Sequence, residues 1–449
     1  MILDSADEVL MRLLLLLILC RGALSAADIQ SPDFRGADLF QTTKVWTAHL
    51  TIAPEQLNAM MPRYSQATTY LPGASRLQGP EGQRNGLSAA NGIEFQYVHA
   101  DLDFEGRKFA DVGVRYKGNG TYRASGGSDK ISMKVHLNEY VKGQKLGRVT
   151  TLNFHSGVTD SSFMSEVMAY GVYRNAGIPS SRTAYVKVHL NKKYLGLYIL
   201  TENVDESYLD ERFGDHKGAL LKPVTQSLFY DWGDDWSRYN QAYDPKTTLT
   251  EAHKKRIFEF AKFLTNASDR ELNTRLESFL DFDNFSRYMA AMVWLCNMDS
   301  ILSNGQNFYV YLDPKTQKFL FLPWDQDGSF GGSRSGQDPG MSITRPWQNG
   351  VWFLDRVFRA SALKQMYLAR MAEFSKTIFV AEPLLKQADE IAVAVRPAIR
   401  EEAGWKVEQF DLAARGESFY GSNGSYRLAV KRFAPLRTQS VLQQLESMR

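Results

Sequence analysis

The sequence predicts an α+β fold, with a mostly β first half and a mostly α second half. Three observations carry this. Apolar and polar residues alternate in repeated short runs up to about Val204. Beyond that point helical periodicity takes over. One hairpin (NFYVYL, DPKTQ, KFLFLPW) interrupts the helices and ends in two acids one residue apart, Asp325 and Asp327.

Taken in order, Met11-Arg12, the run LLLLLILC and the small residues ALSAAD read as a secretory signal over 1–26. Cleavage is expected near Ala26 or Ala27, and the acidic stretch before Met11 places the true start at Met11. No later segment is apolar enough to cross a membrane. VWTAHLTI is a strand running into a short helix near Ala53-Pro54-Glu55. The stretch from Ser65 to Asn91, rich in Gly, Ser, Pro and Gln, reads as an irregular, mobile loop. FQYVHADLDFEG and FADVGVRYKG pair across Glu105-Gly106, and KISMKVHL is a further strand. Ser161 to Gly177 is a helix capped by Asp160 or Ser161 and ended by Gly177. TAYVKVHL and YLGLYILTE form a hairpin. Helices are then expected over 251–265, 283–297, 353–374, 382–400 and 431–448.

With 449 residues, 44% hydrophobic and 23% charged, the chain has the composition of a globular protein with a sizeable core. A net charge of +3 argues against a nucleic-acid polymer or a polybasic membrane surface as partner. Of the two cysteines, Cys20 lies in the signal. Cys296 alone permits no intrachain disulfide. An exported protein without disulfides fits a bacterial envelope or exterior.

The chemistry centres on the hairpin. Asn307 enters its first strand and Asp325 follows its second, so the two should meet at its open end, with Asp299 just upstream. Carboxylates with an amide oxygen suit a hard cation such as Mg²⁺ or Mn²⁺, and a carboxylate outside the metal set could take a hydroxyl proton. Asp327 competes with Asp325, and Asn304 with Asn307, for the metal. Upstream, GVRYKGNGTYR carries Arg115, Lys117, Gly118 and Arg123 through a glycine turn whose free N–H groups could hold phosphate. Lys134 follows in a strand and Glu166 in a helix. A glycine turn, a strand lysine, a helix glutamate, a loop Asp, an Asn and a second Asp is the order of parts in protein-kinase phosphoryl transfer.

GVRYKGNGTYR, KISMKVHL, TLNFHSGVTDSSFMSEVMAYGVYRNAGIPSS, VKVHLNKKYLGLYILTENVDESYL, NMDSILSNGQNFYVYLD and FLPWDQD together resemble the CotH kinase family, named for a spore-coat protein. The resemblance covers roughly residues 44–335. It implies an atypical protein-kinase-like, two-lobed fold, with a β-rich lobe over 27–204 and an α-rich lobe over 205–449 carrying the 307–325 hairpin. It also implies ATP with Mg²⁺ or Mn²⁺, and transfer to Ser or Thr of a secreted or surface protein. By the same resemblance Lys117 and Gly118 cover phosphate, and Lys134 holds the nucleotide with Glu166 as partner. Glu202 and Asn203 sit where a hinge meets adenine, Asp299 is catalytic, and Asn307 with Asp325 holds metal. GNGTYR in place of a serine-containing run, and the absence of His-Arg before Asp299, depart from the family or from ordinary kinases. The competing readings are a kinase-shaped binding module without turnover and a metal-dependent hydrolase.

Overall fold

A computed structural model describes residues 34–64, 77–84, 86–332, 338–402 and 404–448. The expected signal and the start at Met11 lie outside the described residues. The fold is α+β, as the pattern predicts. Its first part is a closed barrel of seven strands: β1 Val45–Thr51, β2 Val98–Phe104, β3 Arg107–Tyr116, β4 Met133–His136, β5 Thr151–His155, β6 Thr183–Leu190 and β7 Lys193–Glu202. The order around it is β1-β2-β3-β4-β5-β7-β6, and a parallel pairing of β1 with β6, Ala48 opposite Val188, closes it. Closure leaves no unpaired barrel edge. Trp46, Leu50, Leu102, Val114, Leu152 and Val186 fill the interior.

Helix α1, Ser165–Asn175, follows β5. It starts four residues later than the sequence predicts. Neither Asp160 nor Ser161 is the N-cap, which is Met164; the Asp160 carboxylate instead accepts the N–H of Ser162 at 3.0 Å and of Ser165 at 2.8 Å, so the intervening residues form a turn. The chain then builds a second sheet, order β9-β8-β10-β11, from β8 Ala219–Pro223, β9 Tyr243–Pro245, β10 Phe308–Leu312 and β11 Phe319–Pro323. Helices α2 Glu251–Asn266, α3 Phe282–Trp294, α4 Ser361–Thr377, α5 Ala381–Glu402 and α6 Val430–Glu446 pack around it in one large apolar core containing Trp294, Phe321 and Phe353. The helix expected over 353–374 is two, because the chain leaves helical geometry between Val357 and Ser361.

The supposed mobile loop is also corrected where it is described. Leu87–Ala90 is a short helix, and Leu77, Ala89 and Ala90 bury against Val224. Asp244 accepts the Gly82 N–H at 2.8 Å, and Lys246 donates to the carbonyls of Gly82 and Arg84. These polar ties fasten the segment to β9, which local sequence does not reveal.

The C-terminal end of α5 is locked to the barrel by Lys130. Its ammonium lies 2.7 Å from the Glu402 carboxylate, with the two side chains 6% and 7% exposed. Glu402 also accepts the Leu197 N–H at 2.7 Å. Burial pushes the Lys130 ammonium down to about 8 against the pull of Glu402. Removing one member strands a buried charge, so Lys130→Met should lower stability by about 3 kcal/mol in urea unfolding. An unchanged midpoint would show that Lys406, 3.2 Å from Glu402, is partner enough.

Candidate functional site

The barrel and the second sheet enclose a cavity of about 300 Å³, lined by Gly86, Leu87, Lys117, Gly118, His155, Glu166, Lys222, Val224, Asp299, Asn307, Trp324, Asp325 and Asp327 among others. One wall is basic. Lys117 extends from the end of β3, just before Gly118. Gly118 sits at φ +85, where a Cβ would lie 2.1 Å from the Thr121 hydroxyl, so the turn needs glycine. The Lys117 Nζ donates to His155 Nε2 at 2.5 Å and to Asn153 Oδ1 at 3.3 Å. Lys222, on β8, has no hydrogen-bond or ion-pair partner among the described residues. It is held over the rings of Trp324 and Tyr309, 5.4 and 5.6 Å from their centres. Burial pushes Lys117 down to about 8. It takes Lys222 to about 7, helped by repulsion from Lys246 and Lys117.

Other lining residues are acidic. Asn307 and Asp325 flank the open end of the β10–β11 hairpin, where Phe308 pairs with Pro323 and the Trp324 N–H donates to the Asn307 carbonyl at 3.1 Å. Both residues adopt left-handed backbone, φ 63 and 55. Asn and Asp tolerate that region better than other side chains. The Asn307 amide donates to the Asp299 carbonyl at 2.9 Å, and its side-chain oxygen takes no hydrogen bond among the described residues. Burial raises the Asp325 carboxyl above the usual range, and neighbouring Glu166 and Asp299 add to this against Lys117. Asp327 is pushed up well beyond its ordinary value by burial and then by Asp325, although the Thr159 hydroxyl donates to it at 2.5 Å.

Asp299 stands where this cavity meets a second chamber, lined by Asn119, Arg123, Asn304, Asp327, Asn423 and Arg427 among others. Asp299 Oδ1 accepts from Gln306 at 3.1 Å and from Asn304, and Oδ2 takes no hydrogen bond among the described residues. Gly305 pins this loop to the segment after β8. At φ +67, a Cβ there would meet the Thr225 carbonyl at 1.9 Å.

A model of the CotH kinase protein family matches residues 114–420, more than half of the chain. The chain belongs to the CotH kinase protein family. Inner spore coat protein H of Bacillus subtilis (strain 168) is 22% identical over 298 residues, which span 65% of this chain and 80% of that protein.

Of the residues that the CotH kinase resemblance nominates, Lys117, Gly118, Glu166, Asp299, Asn307, Asp325 and Asp327 all line the one cavity. Three do not. Lys134 sits opposite Arg115 and Asn153 in the barrel, pushed well down by burial and then by Arg115, and it has no ion-pair or hydrogen-bond partner among the described residues. Glu166 pairs instead with His155, whose Nδ1 lies 2.8 and 2.9 Å from its two oxygens, so the expected Lys134–Glu166 pair is not made. Glu202 is held between Arg182 and Arg212 at 2.5 and 2.6 Å, and Asn203 between Asn153 and Asp205. At the strand end that reaches the cavity stand Pro223 and Val224. Asn307 lines the main cavity and Asn304 the second chamber.

Sequence reasoning missed His155, Lys222 and Arg427. The Arg427 guanidinium is fully enclosed and donates to the carbonyls of Asp327 at 2.7 Å and Thr159 at 3.1 Å and to the Ser165 hydroxyl at 3.0 Å. It fixes the Asp327 turn from a C-terminal region that the sequence assigns to the α-rich lobe, with no site residue in it. The available signal for His155 and Lys222 was the one that exposed Asp325, a polar residue in or ending an apolar run: TLNFH and ALLKP.

The residues present fit a divalent cation. Asp325 and Asp327 are carboxyls whose charge burial and neighbouring carboxylates oppose, and Asn307 lines the same cavity with an amide oxygen that takes no hydrogen bond among the described residues. Among the described residues no three His, Cys, Asp or Glu side chains form a metal cage.

Proposed function

We propose that this CotH-family chain is an exported phosphotransferase that moves the γ-phosphoryl group of ATP to a Ser or Thr hydroxyl of a secreted or surface protein. In this reading it is built as an atypical two-lobed kinase. One observation carries the reading: a single cavity sets cations that lack a carboxylate ion pair against carboxyls that resist ionisation. A nucleotide polyphosphate with its metal would satisfy both sets of groups at once. Lys117 and Lys222 would hold phosphate oxygens, and Leu87, Pro223 and Val224 would form the apolar slot for the base. Asn307, Asp325 and Asp327 would hold Mg²⁺ or Mn²⁺, which when bound supplies charge neutralisation at the transferring group. The acceptor would enter by the second chamber. The free oxygen of Asp299 would orient its hydroxyl and take its proton as the new P–O bond forms and the bond to ADP breaks.

The test is calorimetric binding of ATP to the chain with Mg²⁺, with Mn²⁺ and with neither. Metal-dependent binding is expected, and Lys222→Met should weaken it about tenfold or more, the worth of a hydrogen bond to a charged group. The sign of the pH dependence follows from the lysines. They are charged below about 7 and 8, so affinity should fall as pH rises through that window. A folded protein that binds no nucleotide with either metal would transfer the reading to a non-catalytic binding module.

A further inference from the structure

We propose that His155 is a positioning residue that joins Lys117 to Glu166 as a fixed neutral tautomer. An ammonium can only donate, so the His155 Nε2 that lies 2.5 Å from Lys117 Nζ must be the acceptor. The ring proton is then on Nδ1, where it donates to the Glu166 carboxylate at 2.8 and 2.9 Å. Glu166 is oriented in turn by the Thr201 hydroxyl, which donates to it at 3.1 Å. The ring itself is held edge-on by Trp324 with centres 6.0 Å apart. The relay therefore runs from α1 through β5 to the end of β3.

Its consequence is specific. A lysine in direct contact with Glu166 would spend its charge on that carboxylate. With the imidazole between them, Lys117 is held by two neutral acceptors, His155 and Asn153, and keeps its charge for a ligand. The charged groups around the ring are Lys117 from β3, Glu166 from α1 and Asp325 after β11. The importance of this for nucleotide binding rests on the phosphotransferase reading, but the relay itself does not.

Two substitutions separate its halves. In His155→Gln an amide oxygen can replace the Nε2 acceptor. In His155→Asn the amide can only replace the Nδ1 donor. The first measurement is the rate at which acetic anhydride labels Lys117 in the full chain, read by peptide mass spectrometry. The second is ATP affinity with Mg²⁺, with thermal unfolding as the control for fold. His155→Asn should label Lys117 several-fold faster and bind ATP about 10- to 100-fold more weakly, as expected for losing a hydrogen bond to a charged group, with His155→Gln restoring most of both. Equal effects of the two variants, or unchanged Lys117 labelling in His155→Asn, would overturn the relay. If the unsubstituted chain binds no ATP, the labelling arm still decides the relay, and only the phosphotransferase reading fails.

Discussion

Asp325→Asn should reduce metal-dependent nucleotide binding and phosphoryl transfer by about 10²–10³-fold, the scale of losing one preorganised electrostatic group, while the melting temperature of the unliganded protein stays level or rises. The substitution keeps the backbone, because Asn accepts the left-handed φ of 55 at this position as readily as Asp. It keeps the backbone N–H that donates to the Tyr170 hydroxyl at 3.0 Å. What it removes is charge. In the unliganded protein that charge is unwelcome, since burial, Glu166 and Asp299 all oppose it. A site that stores repulsion until a cation arrives trades stability for binding, and neutralising it should release the strain. Calorimetry with Mn²⁺ and ATP, set beside thermal melts, checks both halves. Nucleotide binding equal to that of the unsubstituted chain would take Asp325 out of the metal set. The parallel Asp327→Asn variant decides between the two acids, which the sequence leaves open.

How much of this was legible depends on how far apart in the chain the partners lie. The hairpin site was readable because a local turn brings Asn307 and Asp325 together, with Asp299 close upstream. Strands β1, β2, β3, β4 and β6 show alternation somewhere along their length, because one face meets the barrel core and part of the other meets water. Strand β5 shows none, being buried along its whole length, so His155 passed unnoticed in it. Strand β8 is as apolar, and Lys222 is its one partly exposed position. The barrel's parallel closure and the reach of Arg427 to Thr159, 268 residues away, leave no trace in any local window. The CotH resemblance nominates Lys134 as the nucleotide lysine, on the order of parts along the chain. The fold gives the place beside Asn153 and His155 to Lys117, whose side chain reaches them from the adjoining strand end.

Asp299→Asn should separate chemistry from binding. Asp299 faces both chambers, and its Oδ1 is already committed to Asn304 and Gln306. An asparagine can keep those bonds through its own oxygen and present its amide where the free carboxylate oxygen stood. That amide cannot accept a hydroxyl proton. The transfer rate should therefore fall by about 10²–10⁴-fold, the range for losing a positioned general base, with ATP affinity close to unchanged because the lysine wall is untouched. Single-turnover transfer from labelled ATP to a Ser- and Thr-containing protein, alongside ATP binding, measures the two separately. A variant that loses binding in proportion to rate would place Asp299 with the metal ligands instead, and the proton would need another acceptor. Asp327 is the carboxyl placed for that role. It too borders both chambers, and burial with the adjacent Asp325 charge already inclines it to hold a proton. The two assignments predict opposite patterns in the Asp299→Asn and Asp327→Asn pair: the variant that keeps ATP binding while losing transfer marks the residue that handles the acceptor's proton.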